Sequence, residues 1–100
     1  MTTISFDLEG ERIVGFQVRG HSGYAEAGED IVCAAVSSAV NLVNATVNEV
    51  LGLAASVKVR EGQVTFRLPG GLSETDEATC QNLLAGMMVY LADLHQHFPQ

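Results

Sequence analysis

Tryptophan is absent from the 100 residues, and cysteine and proline occur only twice each. Two cysteines, Cys33 and Cys80, are too few for a secreted scaffold held by disulfides. No apolar run approaches the roughly 20 residues that a membrane-spanning helix needs. The opening Met1-Thr2-Thr3-Ile4-Ser5-Phe6-Asp7 has neither the basic start nor the apolar stretch of a signal peptide. These absences lead us to expect a reduced, cytoplasmic protein that engages no membrane. Positive charge is scarce as well: five Lys and Arg stand against twelve Asp and Glu, a formal net charge of −7. The cations are scattered along the chain at Arg12, Arg19, Lys58, Arg60 and Arg67, so no nucleic acid is expected as a ligand. A basic protein partner suits this balance better.

What is present is enough apolar residue, 47% of the chain, for a true core. Ile4, Phe6 and Leu8 alternate with polar neighbours, as do Val14, Phe16 and Val18, and Gly10 lies between the two runs. A period of two predicts strands with one buried face, joined as a hairpin. From Ile31 to about Leu51 the period becomes helical, with a stripe of Val32, Val36, Ala39, Val40, Val43, Val47 and Val50 within an arc of about 100°. Asp30 is a suitable N-cap for that helix and Gly52 a suitable stop. Val57, Val59, Val64, Phe66 and Leu68 predict a second hairpin around Arg60-Glu61-Gly62-Gln63. Ser73 then caps a second helix, whose stripe is Cys80, Leu84, Met87, Leu91 and Leu94, widened by Leu83 and Tyr90. The expected fold is α+β: a single domain over residues 1–100, ordered ββα-ββα. Four antiparallel strands form one layer of a two-layer sandwich, and two helices cover one face.

The segment Gly20 to Ser38 carries the candidate chemistry. His21 stands at a strand end, a glycine-containing loop follows, and Cys33 falls in the first turn of the expected helix. There the helix dipole favours thiolate, the nucleophilic form of sulfur. A nearby imidazole can take the proton and later protonate a leaving amine. Cys33 also lies at the border of the valine stripe and a polar side that holds Ser37, Asn41, Asn44 and Asn48, whereas Cys80 falls inside its stripe and reads as core. Gly20, Gly23 and Gly28 allow the loop to hinge, and Tyr24 could lie across a substrate; a plain surface connection is the alternative. Asp30 is either the cap or a third member that orients His21. Ser37 either donates a hydrogen bond to a substrate carbonyl or is a solvated helix serine. A metal site from His21, His95 and His97 is disfavoured, because residues two apart on a helix diverge by about 200°. A redox role is disfavoured by the lack of a Cys-x-x-Cys pair.

Gly20-His21-Ser22, followed by Gly28-Glu29-Asp30-Ile31-Val32-Cys33-Ala34-Ala35-Val36-Ser37-Ser38, closely resembles the signature of the ribosomal-processing cysteine protease family, Prp. Ser22 departs from it, since the family usually carries alanine there. The resemblance implies a cysteine endopeptidase that removes the N-terminal extension of large-subunit ribosomal protein twenty-seven, with Cys33 as nucleophile and His21 as acid/base partner. It also implies a mobile loop over Ser22 to Glu29, a homodimer, no cofactor or metal, and in some members the trimming of phage structural proteins. The alternative is a non-enzymatic acidic module that binds a basic ribosomal protein, with Cys33 merely buried.

Overall fold

The computed structural model describes residues 2–20 and 27–97, the side chains of 27–31 excepted. The elements run β1 (Thr3–Glu9), β2 (Arg12–Arg19), α1 (Ala27–Asn44), a π-helical turn (Ala45–Val50), β3 (Ser56–Arg60), β4 (Gln63–Arg67) and α2 (Glu74–His97). All neighbouring strands are antiparallel, and the sheet order is β1-β2-β4-β3. The expected ββα-ββα order and four-stranded antiparallel sheet are therefore borne out. One face of the sheet supplies Phe16, Val18 and Phe66 to a single cluster with Val36, Val43 and Val47 of the first helical segment and Cys80, Leu84, Met87 and Leu91 of α2. Phe16 and Phe66 are stacked at its centre, with ring centroids 5.0 Å apart. No helix among the described residues is long and apolar enough to cross a membrane.

Three departures from the sequence pattern have local causes. The β1–β2 register shifts so that Asp7 pairs with Gly15 but Leu8 with Ile13. Val14 is the extra residue of this bulge, and Ile13 takes the place expected of Val14 in the main cluster. Leu8, beyond the bulge on an edge strand, is 56% exposed rather than buried. The second departure is at the end of the first helix, where the Leu51 N–H donates to the Thr46 carbonyl five residues back. Such i→i+5 bonding adds a residue to the turn, so the 3.6-residue stripe loses phase after Val47. Val50, the last member of the expected stripe, is 77% exposed.

The third departure is that α1 begins at Ala27, four residues before the expected start at Ile31. Asp30 is thus the fourth helical residue and not the N-cap, and Cys33 lies in the second turn rather than the first. In contrast, the Ser73 cap of α2 forms as expected, with its Oγ accepting from the Asp76 N–H at 3.1 Å.

Side-chain amides close the backbone where the sheet is incomplete. β4 ends at Arg67, leaving the first residues of β2 without a strand on their β4 side. Gln81 of α2 fills that place: it accepts from the Ile13 N–H and donates to the Ile13 carbonyl, both at 2.8 Å. One turn earlier, Glu77 takes a bidentate hydrogen-bonded ion pair from Arg12, at 2.6 and 3.1 Å. This hydrogen bond holds the Arg12 guanidinium above its ordinary pKa. Asn48 does for the loop before β3 what Gln81 does for β2. It accepts from the Ala55 N–H at 2.6 Å and donates to the Asn44 carboxamide oxygen at 2.7 Å. Asn48, braced by Asn44 on the Cys33 side of the helix, therefore serves the loop.

Candidate active site

Cys33 is half-buried on α1, and its thiol lies 3.9 Å from the Thr2 hydroxyl, just before β1. Thr3 pairs with Arg19, so the start of β1 and the end of β2 share one end of the sheet. The Gly20 N–H donates to the Gly62 carbonyl in the β3–β4 turn at 2.9 Å, and Gly20 has a φ of 75°. That left-handed conformation suits glycine and turns the chain out of β2. The residue immediately before His21 is thereby held at the sheet end that also carries the Cys33 thiol. His21, Ser22, Gly23 and Tyr24 themselves lie outside the described residues, as does most of the expected loop Ser22 to Glu29. Of the remaining site candidates, Gly28 and Asp30 belong to the first turn of α1, and half-buried Ser37 follows Cys33 by one helical turn.

The position of Cys33 in the second turn alters its electrostatics. The unbonded N–H groups of a helix belong to its first turn, and the dipole effect falls off over the same distance. With a rise of about 1.5 Å per residue, Cys33 stands roughly 9 Å along the axis from Ala27. Cys33 therefore lies beyond the unbonded N–H groups at the start of α1, which the expected start at Ile31 had put beside it. Thr2 is the site neighbour that sequence reasoning missed. It lies 31 positions from Cys33, and no local periodicity marks such a contact.

Cys80 presents the opposite environment. It is fully buried in the core cluster. Burial pushes its thiol pKa upward, with the Asp76 and Glu77 carboxylates adding to the shift and Arg12 opposing it. The corresponding stability is complete below the ordinary thiol pKa and is lost as pH rises through the raised one. At about pH 8, iodoacetamide should alkylate Cys33 at least about 100-fold faster than Cys80 in the native protein, as measured by peptide mass spectrometry. Equal rates would place both thiols in the core. Among the described residues, no three His, Cys, Asp or Glu gather to hold a metal ion. His97, at the C-terminal end of α2, lies with Nδ1 2.9 Å from the Asp93 carbonyl oxygen.

The family described as Cysteine protease Prp has a model that matches residues 1–100. The chain belongs to the Prp cysteine protease family. Among curated relatives, the ribosomal processing cysteine protease Prp of Bacillus subtilis (strain 168) is 32% identical over 89 residues, which cover 86% of this chain and 79% of that protein. Among solved structures, the essential ribosomal processing protease Prp from S. aureus in complex with a substrate peptide superimposes with a TM-score of 0.83. That match spans 100% of this chain and 93% of the other at 19% identity, a likeness of fold. A Streptococcus mutans protein matches with a TM-score of 0.80 and 26% identity, over 99% of this chain and 87% of its own. The Prp fold is thus present throughout, and this member of the family is a cysteine protease of the ribosomal-processing kind.

Proposed function

We propose that this Prp family member is the endopeptidase that removes the N-terminal extension of large-subunit ribosomal protein twenty-seven, with Cys33 as nucleophile and His21 as acid/base partner. The observation that carries this reading is the half-buried Cys33 thiol at the sheet end where Gly20 leads into His21. In the proposed reaction His21 takes the Cys33 thiol proton, the sulfur attacks the scissile carbonyl carbon, and the bond electrons move to the carbonyl oxygen. Collapse of this intermediate breaks the C–N bond, while His21 gives its proton to the departing amine. The resulting thioester is hydrolysed by a water that His21 deprotonates, which releases the acid and restores the thiol. Because Cys33 is in the second turn, the oxyanion donors come from elsewhere than the start of α1.

Ser37, one turn beyond the nucleophile, is suited to a substrate contact, and Asp30 is retained as a positioning candidate for His21. Gly20, Ser22, Gly23, Tyr24 and Gly28 complete the site as loop residues that admit an extended segment. The same reading has the chain working in the cytoplasm as a homodimer without cofactor, with phage structural proteins as further substrates. An apolar groove of about 460 Å³ between α1 and α2, lined in part by Ala39, Leu42, Leu83 and Tyr90, supports pairing of two copies.

Incubation with the extended ribosomal precursor, followed by mass spectrometry, should yield one shortened product. His21→Ala should lower turnover about a thousandfold with peptide binding retained. Near-normal turnover in that variant would assign the acid/base role to another group.

A further inference from the structure

The scatter of positive charge along the sequence is not a scatter in space. Alternation from Phe16, Val18 and Phe66, which point to the helices, sets the opposite sheet face. The register places Arg19, Gln63 and Arg60 in one row of that face, Gln17, Thr65 and Lys58 in the next, and Gly15, Arg67 and Ser56 in the third. Four of the five cations of a chain with net charge −7 thus share one surface: Arg19, Lys58, Arg60 and Arg67. All four are exposed, and no described helix packs on this side. Standard strand spacings put Arg19 about 10 Å from Arg60, and Arg60 about 7 Å from Lys58 along β3.

Two carboxylates, Asp7 and Glu9 of β1, belong to the same side. Glu9 pairs with Arg67 at 3.5 Å, and Glu61 lies beside Arg60 in the turn. Among the described residues, Arg19, Lys58 and Arg60 form no ion pair; Arg19 donates to the Gln17 carboxamide oxygen at 3.0 Å. The acids of α2, Glu74, Asp76, Glu77 and Asp93, belong to the helical layer on the other side of the sheet. Layer separation of about 10 Å is comparable to the screening length at 0.1 M salt, so their repulsion is weakened at this face.

We infer that the open sheet face, through Arg19, Lys58, Arg60 and Arg67, is a contact surface for the phosphate backbone of RNA. A protein partner is the less suitable occupant. The face is a flat pleated surface whose register positions hold only polar or glycine residues, so it lacks the apolar anchor that centres a protein interface. A phosphate backbone needs no such anchor, because release of its counterions supplies the affinity. Arginine forks and the Gln17, Gln63 and Thr65 side chains provide donors for phosphate oxygens. Among the described residues the face has no aromatic side chain to stack bases, so contact through these residues is independent of base sequence. The Arg19–Arg60 row lies at the sheet end that carries Gly20 and Thr3.

The test is fluorescence anisotropy with a labelled oligouridylate of about 20 nucleotides, titrated with the full chain at about 50 mM salt. Binding should weaken with salt along a log–log slope of about −3, as for four phosphate contacts, and the paired variant Lys58→Glu/Arg60→Glu should weaken it about 30-fold or more and halve the slope. Lys58→Gln/Arg60→Gln should give an intermediate loss, and circular dichroism should show both variants folded. Absence of RNA binding to the wild-type chain, or binding indifferent to these variants, would overturn the inference. So would a polyglutamate peptide that binds this face more tightly than the RNA, since that result assigns the surface to an acidic protein. Because the readout is binding, it is separate from cleavage of any precursor.

Discussion

Cys33→Ala is expected to reduce cleavage of the extended ribosomal precursor about a millionfold, below detection, while the thermal transition moves by only a few degrees. The chemical loss is large because alanine has no atom that can form the acyl intermediate. The structural loss is small because Cys33 is only half-buried, and among the described residues its thiol's hydrogen-bond partner is Thr2. Cleavage retained by this variant would remove Cys33 from the nucleophile role. Cys80→Ala offers the contrasting case. It removes a buried sulfur from the cluster around Leu84 and Met87 and should cost stability with little effect on turnover per folded molecule.

Much of this distinction between the thiols is legible in helical spacing alone. A cysteine four residues from Leu84 and seven from Met87 shares their helical face, and the structure buries it there. The other half of the site is less accessible to pattern. The Gly-His pair and the Gly-x-Asp-x-Val-Cys block are visible as residues. Bringing Gly20 and Cys33 to one end of the sheet requires that β1 and β2 pair with Thr3 opposite Arg19 and that α1 lie with Cys33 beside Thr2. Helix start is a further limit. Asp30 has the chemistry of a cap, yet helical bonding continues back to Ala27, and the local preference of one side chain is outweighed by four more residues of helix.

Gly15→Ala is expected to destabilise the fold by at least about 3 kcal/mol, lowering the thermal midpoint by roughly 15 °C. Gly15 is buried, and a Cβ there would overlap the backbone carbonyl oxygen of Phe66 on β4. A side chain could rotate away, but this oxygen belongs to the paired strand beside the Phe16–Phe66 stack. Relief therefore requires the two central strands to separate or the bulge at Val14 to be rebuilt. Calorimetry or thermal circular dichroism measures the effect directly, and an unchanged midpoint would show that β2 and β4 part at little cost. Nothing in the alternation of Val14, Phe16 and Val18 announces this requirement. A glycine in a strand signals a bulge or a close approach, without saying which strand approaches.

The sequence by itself determined the order ββα-ββα, the central members of both helical stripes, the acidic capped start of α2, and the separation of a core cysteine from one at a face boundary. These features arise from periodicity and capping, interactions among residues close in the chain, so local spacing carries them. The tertiary structure decided what depends on partners distant in the chain. It set the β1-β2-β4-β3 order, the contact of Thr2 with Cys33, and the bracing of Ile13 by Gln81. The same strand order gathers Arg19, Lys58, Arg60 and Arg67 on one face, which a net charge of −7 conceals. Net charge is a sum over residues and carries no positions, whereas strand register assigns each residue a face and a row.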